Sequence, residues 1–247
     1  MLLEFTNKGI YCSKANFYID PSASVEFALV THAHSDHARK GSQNYLAHKH
    51  TAAVLKLRLG KKSVIQEVEY GQEINLNGIK VTFYPSGHVI GSAQIKVDDG
   101  KEVWVVAGDY KLEPDGITSQ FEHIKCTHFV TESTFAKPNF NWQPQTEIFT
   151  DMNNWWTRNS SKGVTSVITA YSLGKSQRLL KNIDHNIGKI VVHESISEIN
   201  NVFKTLGFDL PKTYLFNEVT KEDLKNALVI TPSFSNLNNL NDKLEGY

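Results

Sequence analysis

The chain has 247 residues, with 26 Lys+Arg balancing 26 Asp+Glu. At roughly 100–200 residues per domain it makes one large domain or two modest ones, and 40% hydrophobic residues are enough for a real core. Aromatic residues at 11% and charged residues at 21% exclude a largely disordered chain. Zero net charge excludes a uniformly basic nucleic-acid coat but leaves room for a local basic groove. The longest apolar runs, FALV (27–30) and VWVVA (103–107), are too short to span a membrane. An early Glu4 and the lack of a long apolar stretch at the N-terminus argue against a signal peptide. Two cysteines, Cys12 and Cys126, cannot form a disulfide scaffold, which points to a reducing cytoplasm.

In chain order, ANFYID (15–20) and FALVTH (27–32) read as strands, the second almost wholly apolar. TAAVLKLRLG (51–60) reads as a helix stopped by glycine. INLNGIKVTFYPSGH (74–88) is a hairpin turning at Asn77-Gly78, and SAQIKVDDGKEVWVVAGD (92–109) is a second, turning at 98–100. CTHFVTES (126–133) reads as another strand. Beyond KPNFNWQP (137–144) helices at 145–159, 174–183 and 197–207 alternate with strands at 164–171, 189–195 and 226–233. That alternation implies a parallel sheet with helices packed on it, and a domain boundary near residue 140.

Eight of the ten histidines lie before residue 130. THAHSDHA (31–38) leaves a buried strand carrying His32, His34, Asp36 and His37. Side chains at i and i+2 leaving a strand point the same way, so His32 and His34 can grip one ion. The following turn offers Asp36 and His37 to a second. Imidazole and carboxylate suit Zn²⁺, with Mn²⁺ or Fe²⁺ as alternatives. His88 closes FYPSGH and Asp109 closes VWVVAGD. Alone, such residues are ordinarily turn formers; at the ends of strands running beside the first, they read as further ligands.

HxHxDH followed by His and then by Gly-Asp resembles the metal signature of the metallo-β-lactamase fold. GHVIGSA (87–93), GDY (108–110), TESTF (131–135) and AYSLGKSQRLL (170–180) are similar to the β-CASP nucleases. With GIYCSKANFYIDP (9–21), the series most resembles bacterial ligase-associated DNA exonucleases. The resemblance implies an α/β architecture: a metallo-β-lactamase αββα sandwich over 1–140, its C-terminal return missing, then a Rossmann-like β-CASP domain over 141–247. It implies two Zn²⁺ ions. His32, His34 and His88 would hold the first, Asp36 and His37 the second, and Asp109 would bridge them. Asp36, Asp109 and Glu132 would be the catalytic carboxylates, Glu132 orienting catalytic groups, and Asp20 would support the metal loops from behind. The implied activity is hydrolysis of phosphodiester bonds in single-stranded DNA, of exonuclease type, in repair beside a DNA ligase and helicase. RNA processing is the alternative substrate role. A non-catalytic nucleic-acid-binding or scaffolding subunit is the alternative of another class.

The substrate contacts are less sharply marked. Arg39 and Lys40 follow the metal turn and can meet a phosphate, while Lys56, Arg58, Lys61 and Lys62 fit a solvated helix face equally well. Ser172 and Lys175 open a helix after a strand, a setting that suits phosphate, though the spacing is not that of a P-loop. His48 and His50 read as an exposed loop, His123 and His128 as structural or surface positions, and one of Trp155 and Trp156 as a core anchor. The family's returning chain carries two later histidine motifs, and no histidine follows His193 here. The chain is therefore read as a fragment, with a degenerate paralogue or completion by a partner as the alternatives, and the expectation is one tight zinc, a weak second site and little activity.

Overall fold

Short apolar runs in the first half of the chain build two sheets, seen in a computed structural model that describes residues 1–60 and 62–233. The first sheet has six strands in chain order: β1 (Glu4–Thr6), β2 (Gly9–Cys12), β3 (Phe17–Ile19), β4 (Phe27–Leu29), β5 (Asn44–His48) and β6 (Val64–Val68). β1 to β3 form an antiparallel meander, whereas β3 to β6 pair in parallel. Parallel neighbours need crossovers. Helix α1 (Lys49–Leu59) provides the one between β5 and β6, and the histidine-bearing loop between residues 30 and 43 provides the one from β4 to β5.

The second sheet contains β7 (Glu73–Leu76), β8 (Ile79–Pro85), β9 (Ala93–Asp98), β10 (Val103–Val106) and β11 (His128–Val130), in the order β11-β10-β9-β8-β7. All its pairs are antiparallel except β10 with β11. Phe17, Ile19, Leu29 and Leu46 from the first sheet join Ile79, Val81, Phe83, Ile95, Val97 and Trp104 from the second in one buried cluster. Each such side chain contributes about 1.5–3 kcal/mol by leaving water.

The later alternation forms α2 (Gln145–Ser160), β12 (Ser166–Thr169), α3 (Lys175–Asn182), β13 (Ile190–Val192), α4 (Glu194–Thr205), a 3₁₀ turn (Phe216–Glu218), α5 (Lys221–Leu224) and β14 (Leu228–Thr231). The strands make a parallel sheet in the order β12-β14-β13. Trp156 is the core anchor of the tryptophan pair at 1% exposure. The chain divides after Phe135 into two compact units, both mixed α/β. No described helix is long and apolar enough to cross a membrane.

Two readings need correction. His48 and His50 do not lie in an exposed loop: His50 is in the first turn of α1, and His48 ends β5, between β4 and β6, buried at 2% exposure. The imidazole is stacked on Tyr70, with ring centroids 3.7 Å apart, and accepts the His50 N–H to cap α1. The strand expected over 126–133 is only β11, so Glu132 is not inside it. β11 pairs on one side only, and its register ends at Val130; Glu132 follows in a loop, half-buried, accepting the Thr134 N–H at 2.5 Å. Lys61 and the Asn-rich stretch 236–242 lie outside the described residues.

Candidate metal centre

Strand direction gathers the candidate ligands. β3 and β4 run parallel, so Asp20 and the 30–32 segment emerge at one edge of the first sheet. β8 and β10 are each antiparallel to β9 and therefore run the same way, so His88 and Asp109 emerge together from the second. The Ala93 N–H donates to the Thr31 carbonyl at 2.8 Å, tying the two edges. Ser86 Oγ donates to the Asp109 carbonyl at 2.9 Å, joining the two turns of the second sheet.

A glycine precedes each of these two ligands for a steric reason. Gly87 has φ +79°, and a Cβ there would stand 2.2 Å from the Lys111 carbonyl oxygen. Gly108 has φ +57°, and its Cβ would stand 2.6 Å from Thr31 Oγ1. Only glycine lets both turns close.

His32, His34, His88 and Asp109 converge as one group of donor atoms within 4.8 Å of one another. His32 Nε2 is 3.0 Å and His88 Nε2 is 3.2 Å from His34 Nδ1. Asp109 Oδ2 stands 3.4 Å from His88 Nε2 and 3.8 Å from His32 Nε2. Donors about 2.0–2.1 Å from a tetrahedral ion are about 3.3 Å apart, so this set fits Zn²⁺. Asp109 turns its other oxygen, Oδ1, to His37 Nε2 at 3.3 Å. Asp36 Oδ2 is 3.7 Å from the same nitrogen, with its side chain 72% exposed. Asp36 and His37 thus stand beside the four-donor group, and Asp109 faces both.

Asp20 controls the proton positions. Its Oδ1 accepts the Thr31 N–H at 2.8 Å, and its Oδ2 accepts the Thr31 hydroxyl at 2.5 Å. Thr31 has no second hydroxyl proton, so His32 Nδ1 must donate to Thr31 Oγ1 across 3.1 Å. His32 Nε2 is then a bare lone pair facing the cluster. His37 Nδ1 donates to Asp20 Oδ2 at 2.8 Å, which aims its Nε2 at Asp109.

The electrostatics separate the imidazoles. Burial, reinforced by the neighbouring histidines, pushes His32 well down, and it takes His88 down to about 4, so both are neutral bases suited to ligation. Burial also acts against charge on His37, but its hydrogen bonds to Asp109 and Asp20 outweigh that and lift it to about 10. Asp109 is held low, first of all by that bond to His37.

Among the expected substrate contacts, Arg39 and Lys40 are exposed after the metal loop. Ser172 Oγ lies 2.7 Å from Ser195 Oγ, and Lys175 Nζ stands 4.7 Å from the ring centre of Tyr171, which is 63% exposed. Gln177 organises that loop, accepting the Gly174 N–H and donating to the Ser172 carbonyl. His123 and His128 are exposed. Sequence reading missed the parts played by two residues. Thr31 relays Asp20 to His32, and the signal for it was a hydroxyl directly before a buried histidine. Arg58 reaches from α1 to donate to the Ala33 carbonyl, between two candidate ligands, and no sequence spacing marks that contact.

Known proteins give the same picture. No protein-family model matches the chain. It is 26% identical over 226 residues to a probable DNA ligase of Opitutus terrae, covering 91% of this chain and 22% of that protein. It is 30% identical over 146 residues to the RNase aCSPSF2 of Saccharolobus solfataricus, covering 57% of this chain and 29% of that protein. With the cleavage and polyadenylation specificity factor subunit 3-I of Arabidopsis thaliana it shares 28% over 204 residues, covering 67% of this chain and 28% of that protein. These relatives are β-CASP metallo-β-lactamase proteins. The chain is similar to members of that family. It spans about a quarter of the length of the curated β-CASP relatives it matches. In fold it is also similar to a protein of unknown function from Enterococcus faecalis V583, with TM-score 0.56 and 10% identity over 83% of this chain and 58% of that one.

Proposed function

We propose that this β-CASP chain is a zinc-dependent hydrolase of phosphodiester bonds in single-stranded DNA, exonucleolytic and cytoplasmic, serving repair beside a ligase and helicase. The observation carrying this reading is the convergence of His32, His34, His88 and Asp109, with Asp109 turned to both that group and the Asp36–His37 pair. Residues 1–140 are read as the metallo-β-lactamase part and 141–247 as the β-CASP domain. His32, His34 and His88 would hold one Zn²⁺, Asp36 and His37 a second, with Asp109 between them and Mn²⁺ as the alternative ion.

Bound zinc supplies Lewis acidity toward a phosphate oxygen and lowers the pKa of water. The chain's own residues prepare that chemistry. Asp20, through Thr31, keeps the His32 lone pair facing inward. Asp109 and Asp36 supply carboxylate charge on the exposed side of the cluster, where a substrate phosphate can approach. Glu132 is assigned an orienting role. Arg39 and Lys40 are assigned to a substrate phosphate, and Ser172 and Lys175, beside the exposed Tyr171 ring, to the strand.

The DNA reading draws on the similarity to a probable DNA ligase across 91% of the chain. The ribonuclease named among the relatives favours RNA as the second reading. Incubating zinc-loaded protein with end-labelled single-stranded DNA and RNA of equal sequence tests both. Slow, incomplete shortening of DNA alone is expected, in keeping with a weak second metal site. Cleavage of RNA alone would transfer the assignment to RNA processing, and cleavage of neither would leave a binding or scaffolding subunit.

A further inference from the structure

A cavity of about 160 Å³ in the second unit is lined by His185, Gly188, Lys189, Ile190, Lys212 and Tyr214. Backbone pairing fixes its aromatic wall. The Tyr214 N–H donates to the Ile190 carbonyl and the Tyr214 carbonyl accepts the Val192 N–H, both at 2.9 Å, so Tyr214 is stitched onto the free edge of β13. The residue packs against a buried cluster that includes Val191, Val219 and Val229.

Two ammonium groups crowd this one ring, Lys212 Nζ at 4.6 Å and Lys189 Nζ at 5.3 Å from its centre. Asp223 offsets one of them, pairing with Lys189 at 2.5 Å while its other oxygen is held by the Thr220 N–H and hydroxyl. Among the described residues Lys212 makes no ion pair and the Tyr214 hydroxyl no hydrogen bond. Exposed His185 stands on the rim beside Asp184, whose carboxylate accepts both N–H groups of Asn186. An unpaired ammonium, a second locked in place, an imidazole and a free phenol around one small concavity are a donor set for a tetrahedral oxyanion, and the ring gives a base a face to pack on.

We infer that this cavity binds a phosphate group carried by a nucleotide, either a phosphodiester of a nucleic-acid strand or the phosphate of a mononucleotide. The inference rests on the nucleic-acid reading above. The test is fluorescence anisotropy of labelled oligothymidylate with the full chain in EDTA, where cleavage cannot interfere, for wild type, Lys212→Glu and Tyr214→Ala. Lys212 is exposed, so Lys212→Glu leaves the fold intact, which circular dichroism checks. Lys212→Glu should weaken binding at least about fivefold and reduce the salt slope by about one counterion. Competition by thymidine monophosphate that depends on Lys212 would name the mononucleotide as the source, and no competition would name the strand. Unchanged affinity and salt slope in both variants would overturn the inference while leaving the nuclease reading intact. A wild-type chain that binds neither probe would overturn both.

Discussion

Asp20 accepts three hydrogen bonds, from the Thr31 amide, the Thr31 hydroxyl and His37. Asparagine tolerates its left-handed backbone (φ 44°), so Asp20→Asn changes the protons and not the turn. The carboxamide offers one acceptor oxygen in place of two. Thr31 is then free to donate to His32 Nδ1, which moves the imidazole proton onto the nitrogen that faces the cluster. Zinc affinity should fall about 10- to 100-fold, measured by competition with a chromophoric chelator; wild-type affinity would contradict this proton assignment. His48 gives a separate prediction. Burial, with His50 adding to it, lowers its pKa from 6.5 to about 4. Between those values the unfolded chain takes up a proton that the folded chain refuses, so stability is full above pH 6.5, falls as pH drops toward 4 and then levels off. The contribution is on the order of 3 kcal/mol. His48→Asn preserves the cap on α1 and should flatten that part of the urea-unfolding pH profile; an unchanged profile would refute it.

At the level of elements, the ligands arrive because strands running the same way end at the same edge, and each turn beyond must be tight. Gly87→Ala would put a methyl carbon against the Lys111 carbonyl at positive φ, and should destabilise the fold by about 2 kcal/mol or more and displace His88. Parallel losses in denaturant midpoint and zinc content would be expected; a stable variant with full zinc content would contradict that. Much of this framework was legible. Alternation around Asn77-Gly78 marked β7 and β8, and the histidine cluster directly followed an apolar strand. β5 was not, because NYLAH carries polar residues at both ends and its burial comes from neighbours placed by the fold. Glu132 was misplaced because the polar residues at 131–133 follow the apolar pair Phe129-Val130 without a break signal, and only the register with β10 ends the strand. The Arg58–Ala33 contact depends on how α1 packs, which the residue order of a basic helix face does not encode.

For the whole molecule, an ion held by the four-donor group would couple metal to stability, since an ion that binds only the folded chain stabilises it by mass action. EDTA should lower the thermal midpoint, corresponding to about 4 kcal/mol at a thousandfold ligand excess over Kd, whereas a His88→Ala variant should respond little. Equal sensitivity of the two chains would place the metal elsewhere. The measurement that bears most directly on the account is elemental analysis of the purified chain beside His88→Ala. The account predicts at least one tightly held zinc per wild-type chain, lost in the variant. A wild-type chain that takes up no zinc, or a variant that keeps it in full, would contradict it.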